Sequence, residues 1–125
     1  MNMQQENRRK HYRLDAVLPL KLFHTDANFI TETINVSCGG AYCQIDKFIP
    51  VMTKIKIVMF IPLLGKNKSH KVSCEGIIVR TDPEYPADDI DNYSIAIFFS
   101  DLKKTDRSKI AAYVKKKKKS DPSWN

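Results

Sequence analysis

From residue 14 to residue 99 the chain alternates apolar and polar positions with a period of two, in six separate runs. Leu14, Ala16, Leu18, Leu20 and Leu22 form one face of the first run, with Asp15 and Lys21 opposite. The second, residues 29–36, places Ile30, Ile34 and Val36 on one side. In the third, residues 41–45, Ala41, Cys43 and Ile45 alternate with Tyr42 and Gln44. Ile55, Ile57, Met59 and Ile61 line the fourth against Lys54 and Lys56, and Val72, Cys74, Gly76 and Ile78 line the fifth. Tyr93, Ile95, Ile97 and Phe99 line the sixth. A two-residue period is that of a strand with one face in a core and the other in water. Pro19 has no N–H for a ladder, so it marks an edge or a bulge in the first run.

Turn chemistry separates the runs. Thr25, Asp26 and Asn28 follow the first, Pro50 and Pro62 bracket the fourth, and Gly65-Lys66-Asn67-Lys68 reads as a hairpin loop. The stretch from Asp82 to Asn92 carries two prolines and four further acids after Asp82, and reads as a solvated loop. It has neither the Gly nor the terminal Glu of a calcium loop. After Asp101 the period changes. Asp101, Thr105 and Asp106 suit a helix start, and Leu102, Ile110, Tyr113 and Val114 recur at helical spacing, so a helix over about residues 105–117 is expected. Six short strands with hairpin-scale loops and one terminal helix predict an all-β fold: a six-stranded antiparallel β-barrel with a C-terminal α-helix.

Composition supports one domain. The 125 residues are 42% apolar, with six Phe and five Tyr. No window holds the roughly 18 apolar residues that span a bilayer. Residues 1–10 have no apolar core of a secretory signal, so a cytoplasmic chain is expected. Cys38, Cys43 and Cys74 are odd in number, form no CxxC, and show no zinc-ligand spacing with His11, His24 or His70. The net charge of +7 is concentrated at the two ends, in Arg8, Arg9, Lys10 and Arg13 and in the run Lys115 to Lys119. The expected division is a flexible basic segment over residues 1–12, a barrel over 13–100, a helix with the lysine run over 101–119, and a tail over 120–125.

Two short motifs carry the chemistry. Arg9-Lys10-His11-Tyr12-Arg13 is an RxxxR directly before the first strand run, and Asn35-Val36-Ser37-Cys38-Gly39-Gly40 is an NxSxxG between two strand runs. Guanidinium forks pair bidentately with phosphate oxygens and with the O6/N7 edge of guanine. Arg8 adds a third. Asn35 and Ser37 offer a carboxamide and a hydroxyl for a base edge or phosphate. Gly39 and Gly40 let backbone turn and come close without a Cβ, and their amides can form an anion-binding nest. Each motif alone has an ordinary reading, a solvated cationic tail for the first and an Asx or Ser turn for the second. Both in this order, around a strand-loop-strand unit, suit a ligand with phosphates and purine edges.

The pair resembles the signature of the PilZ domain, a bacterial receptor module for cyclic di-GMP. Glu75-Gly76-Ile77-Ile78-Val79-Arg80 is similar to the family's Gly-x-x-Val-Arg strand. The stretch from Tyr93 to Leu102 is similar to its last strand and the turn into its helix, with Ala96 where the family has Gly. The resemblance covers roughly residues 8–114 and implies a receptor or adaptor for cyclic di-GMP. Arg9 and Arg13 would clamp phosphate and guanine, and Asn35, Ser37, Gly39 and Gly40 would complete the site. The residue before RxxxR, here Arg8, bears in the family on whether one ligand or an intercalated dimer is held, and a third guanidinium favours the dimer. Binding would order the N-terminal arginine segment and change the surface offered to a protein partner. Beyond the ligand no cofactor is implied.

Three other readings fit part of the same sequence. A small basic barrel binding RNA or DNA fits the pI of 9.4, but aromatics are not interleaved with basic residues along one strand face, as base-stacking platforms need. Contact of Lys115–Lys119 with an anionic surface, or a PilZ-like interaction adaptor that has lost its ligand, is compatible with the same fold. An enzyme is disfavoured: no Ser/His/Asp or Cys/His grouping is present, and Gly65-Lys66-Asn67-Lys68-Ser69 lacks the upstream Gly of a P-loop.

Overall fold

A computed structural model describes residues 14–63 and 67–120. The strands are β1 (Leu14–Asp15), β2 (Pro19–Phe23), β3 (Asn28–Val36), β4 (Gly40–Ile45), β5 (Lys54–Leu63), β6 (Lys68–Asp82) and β7 (Tyr93–Phe99), and the helix α1 is Lys104–Ser120. All pairings are antiparallel. The order β3-β2-β5-β6-β7-β4 closes on itself through the β3–β4 pair, with β1 attached to β3. Closure removes open sheet edges. The structure is therefore the expected six-stranded closed antiparallel barrel with a C-terminal helix, the two-residue β1 forming a lip on it. The expected segment 1–12, the middle of the hairpin loop (64–66) and residues 121–125 lie outside the described residues.

Four of the alternating runs place their apolar sets in the core as expected. Ile55, Ile57, Met59 and Ile61 are buried on β5, and Ala41, Cys43 and Ile45 on β4. Val72, Cys74 and Ile78 on β6 and Ile95, Ile97 and Phe99 on β7 complete this wall. Gly76 sits among them because a Cβ there would lie 2.5 Å from Ile57 Cδ1 and 2.7 Å from Ile97 Cγ2. Along α1, Ile110, Tyr113 and Val114 are buried, and the helix packs on β5 and β1. Burial of each such side chain contributes about 2 kcal/mol. The helix is further tied down by His70 Nε2 of β6, 2.8 Å from Asp106 Oδ1.

The first two runs differ from expectation. Ile30 and Ile34 face solvent, at 84% and 41% exposure. Phe29 and Thr33 take the inward positions instead, and a register shift between Thr33 and Asn35 returns Val36 to the core. Such a bulge adds one residue and so exchanges faces. The first run is not one strand but two, interrupted at residues 16–18. Pro19 opens β2, where its missing N–H is tolerated. The interruption is stitched to β3 by one side chain: Thr33 Oγ1 accepts from Leu18 N–H at 2.9 Å and donates to the Ala16 carbonyl. Backbone bonds from Thr33 N–H to Leu18 O and from Ala16 N–H to Ile34 O flank it.

Candidate functional site

The second motif forms the end of β3, the connection, and the start of β4. Asn35 is the next-to-last residue of β3, half-buried and hydrogen-bonded or otherwise engaged. Ser37 lies just beyond the strand and is buried. Its Oγ accepts from Gly39 N–H at 3.1 Å, and its own N–H donates to Gly40 O at 2.9 Å. Gly39 O in turn accepts from Phe99 N–H at 2.9 Å. Gly40 is required by proximity: a Cβ there would sit 2.0 Å from Ile97 O, so β4 and β7 could not keep their separation. The serine hydroxyl and the glycines thus build the turn first, and the serine oxygen can still donate.

Strand register spreads the motif into a surface. Across the barrel wall Asp15 is opposite Asn35, Asn35 opposite Tyr42, Tyr42 opposite Ala96, and Ala96 opposite Arg80. One step along, Gly40, Phe98 and Ile77 form a second row. Their neighbours Val36, Ala41, Cys43, Ile95 and Ile97 point into the core, so these rows face outward. Tyr42, Ala96 and half-exposed Phe98 make an apolar floor, with Asn35 and Arg80 on its two sides, three strand spacings or about 14 Å apart. Ala96 keeps this floor shallow, as the small residue at its centre.

A further cation stands by the turn. The Cys38 thiol donates to the Arg107 carbonyl at 3.6 Å. Burial raises the Cys38 pKa, and the Arg107 guanidinium nearby works against that rise. Cys43 and Cys74 are buried free thiols, pushed up to about 12 by burial, with Asp101 and Asp106 adding to the rise at Cys74. Burial thus disfavours the thiolate, the reactive form, at all three. No group of three or more metal-ligating side chains lies together among the described residues. No described helix is long and apolar enough to cross a membrane.

Of the expected site residues, Asn35, Ser37, Gly39 and Gly40 are brought together in one turn. Arg8, Arg9 and Arg13 lie outside the described residues. Leu14, the residue that follows the first motif in the sequence, pairs with Val36, one residue from Ser37. Tyr42, Phe98, Arg80 and Arg107 were not expected as site residues from sequence. The first three come from three strands and share an outward surface only through strand register, and Arg107 lies on the helix beside Cys38.

The PilZ domain family model matches residues 7–116. Three solved structures share the fold. One is the Bacillus subtilis inhibitor of motility MotI/DgrA, with a TM-score of 0.77 at 15% identity, over 92% of this chain and 53% of that one. Another is the PilZ domain of CeSA from a cellulose synthesizing bacterium, with a TM-score of 0.53 at 13% identity, over 84% and 96%. The third is K. pneumonia MrkH in complex with c-di-GMP, with a TM-score of 0.55 at 17% identity, over 82% and 48%. The chain spans about half the length of the MotI/DgrA and MrkH chains. No curated protein matches it by sequence.

Proposed function

The chain belongs to the PilZ domain family, and from that premise we propose that it is a cyclic di-GMP receptor that signals to a protein partner. The observation that carries this reading is the pairing of Leu14 with Val36 and Asp15 with Asn35. It anchors the chain immediately after RxxxR beside the NxSxxG turn. One peptide link separates Arg13 from Leu14, about 3.8 Å between Cα atoms. Arg9 is five residues from Leu14, within about 17 Å of extended chain. Both guanidinium groups can therefore reach a ligand lying over the β3–β4–β7 floor.

The parts divide as follows. Arg9 and Arg13 take the phosphates and a guanine edge bidentately. Asn35 and Ser37 bond a second polar edge. The floor of Tyr42, Ala96 and Phe98 receives a flat purine, and stacking on an aromatic is worth about 1–3 kcal/mol per base. Arg80, across that floor, is placed for the far end of the ligand. Arg8 holds a second ligand molecule, giving an intercalated dimer. The ligand's negative charge relieves repulsion among the arginines, so the N-terminal segment closes over it and the barrel presents a new surface. That MrkH was solved with c-di-GMP supports the ligand class.

Hydrogen exchange with and without cyclic di-GMP tests the ordering. Protection should rise in peptides covering residues 1–13 and 35–40. Protection confined to the barrel, with the N-terminal segment exchanging at the same rate, would reject the closing arginine segment. Arg13→Ala should weaken binding by about 2–4 kcal/mol, from lost charge-assisted bonds. An affinity equal to that of the parent would reject Arg13 as a clamp.

A further inference from the structure

Helix α1 carries a charge pattern that the ligand reading does not use. Between residues 104 and 117 it exposes Lys104, Arg107, Lys109, Lys115, Lys116 and Lys117. Its one acid, Asp106, is 7% exposed and turned to His70. On the side that meets the end of β5, a groove of about 250 Å³ opens between helix and barrel. Ile61, Pro62, Leu63, Ala112 and Tyr113 line it, and Lys109 and Lys116 stand at its ends. Ile61 and Tyr113 form a buried floor, and Ala112 leaves the helix side open. Lys109 and Lys116 are two helical turns apart, about 10 Å along the axis. Exposed Lys68, the cross-strand partner of Leu63, adds a cation on the barrel side. Lys116 has an interaction within the fold, and an ammonium's three donors leave capacity for another.

From this we infer that the α1–β5 groove is a docking site for an acidic segment of a partner protein, anchored by an apolar side chain between two carboxylates. The inference names the class of partner for the reading above, and the groove itself does not depend on that reading. Charge complementarity selects an acidic occupant. The recess selects a side chain that inserts. A bilayer is the poorer fit, because among the described residues none of the large exposed apolar side chains lies on α1 or at the groove to enter lipid. On an extended strand, carboxylates four residues apart share a face with the side chain midway between them, about 13 Å apart, within reach of flexible lysines about 10 Å apart along the helix. Because α1 also packs on β1, which leads out of the arginine motif, ligand-driven ordering would be felt next to this groove.

The test uses calorimetric titration at physiological salt with two synthetic probes: a short acetylated glutamate peptide with one central phenylalanine, and its counterpart with glycine there. The phenylalanine peptide should bind about tenfold tighter, the gain expected from burying an aromatic ring in part. Ala112→Trp, an exposed position where the fold tolerates bulk, should abolish that difference. Lys109→Glu should weaken both peptides by about tenfold. Equal affinity for the two peptides, or indifference to Ala112→Trp, overturns the groove. So does binding to phosphatidylserine vesicles that the phenylalanine peptide fails to displace. Cyclic di-GMP titrated into the same samples separates the two readings. Peptide binding without nucleotide binding upholds the groove and sinks the ligand reading; nucleotide binding without peptide binding does the reverse.

Discussion

Replacing Thr33 with valine removes one oxygen and keeps the shape. That oxygen serves two backbone groups in the break between β1 and β2: it accepts from Leu18 N–H at 2.9 Å and donates to the Ala16 carbonyl. Leu18 is 1% exposed, so its N–H has no route to water once the hydroxyl is gone. An orphaned buried donor costs about 2 kcal/mol. Ala16 is half-buried, so water recovers part of its loss, leaving about 1 kcal/mol. The expected total is about 3 kcal/mol, a large part of the roughly 5–15 kcal/mol that holds a domain of this size folded. It corresponds to a fall in melting temperature of about 10 °C. Thr33→Ser is the control, since it keeps the oxygen and loses a methyl worth about 1 kcal/mol. Urea denaturation of both variants is the assay. The valine variant should lose clearly more stability than the serine variant, and should also bind cyclic di-GMP more weakly, because β1 anchors the arginine motif. If valine is no worse than serine, the stitch is not what holds residues 14–18 to the barrel.

Three further outcomes follow from the geometry. Gly40→Ala should cost about 3 kcal/mol or more, because the new Cβ meets the Ile97 carbonyl at 2.0 Å and backbone cannot yield there; thermal melting measures it. Asp106→Ala should lower the urea midpoint by the equivalent of about 1–3 kcal/mol, through loss of the His70 contact. The Cys43 and Cys74 thiols, raised from 9.0 to about 12, keep their protons in the folded chain while the unfolded chain loses them. Stability from this source is intact below pH 9 and should fall as pH rises from 9 towards 12, with a shallower fall in Cys43→Ala, and the native thiols should resist alkylation near neutral pH until the chain is denatured.

Much of the barrel was legible because β5, β7, β4 from Ala41 and β6 as far as Ile78 alternate, each apolar set marking its own inward face. The β3 strand was misread for a local reason. Its core positions include Thr33, whose hydroxyl is buried only because two backbone partners lie on a distant segment, and its bulge exchanges faces within three residues. Ile30 and Ile34 then look like core residues and stand in solvent. Asp106 reads as a helix-start residue, and is one, but its partner His70 is 36 residues away and has no signature in the sequence. In the site, the NxSxxG turn could be read from its own residue types. The reason for Gly40 could not, since it is a close approach to Ile97 on another strand. Tyr42, Phe98, Arg80 and Arg107 likewise become neighbours of the motif only through register and helix docking.

We propose that this barrel binds a guanine dinucleotide through its two motifs. Isothermal titration of the full chain with cyclic di-GMP, with GTP and cyclic di-AMP as controls, tests it most directly. Saturable binding near micromolar or tighter (about −8 kcal/mol) is expected, which the controls do not reproduce, with close to two ligands per chain if Arg8 holds a dimer. Absence of heat and of any thermal shift with cyclic di-GMP, or equal binding of all three nucleotides, would contradict it.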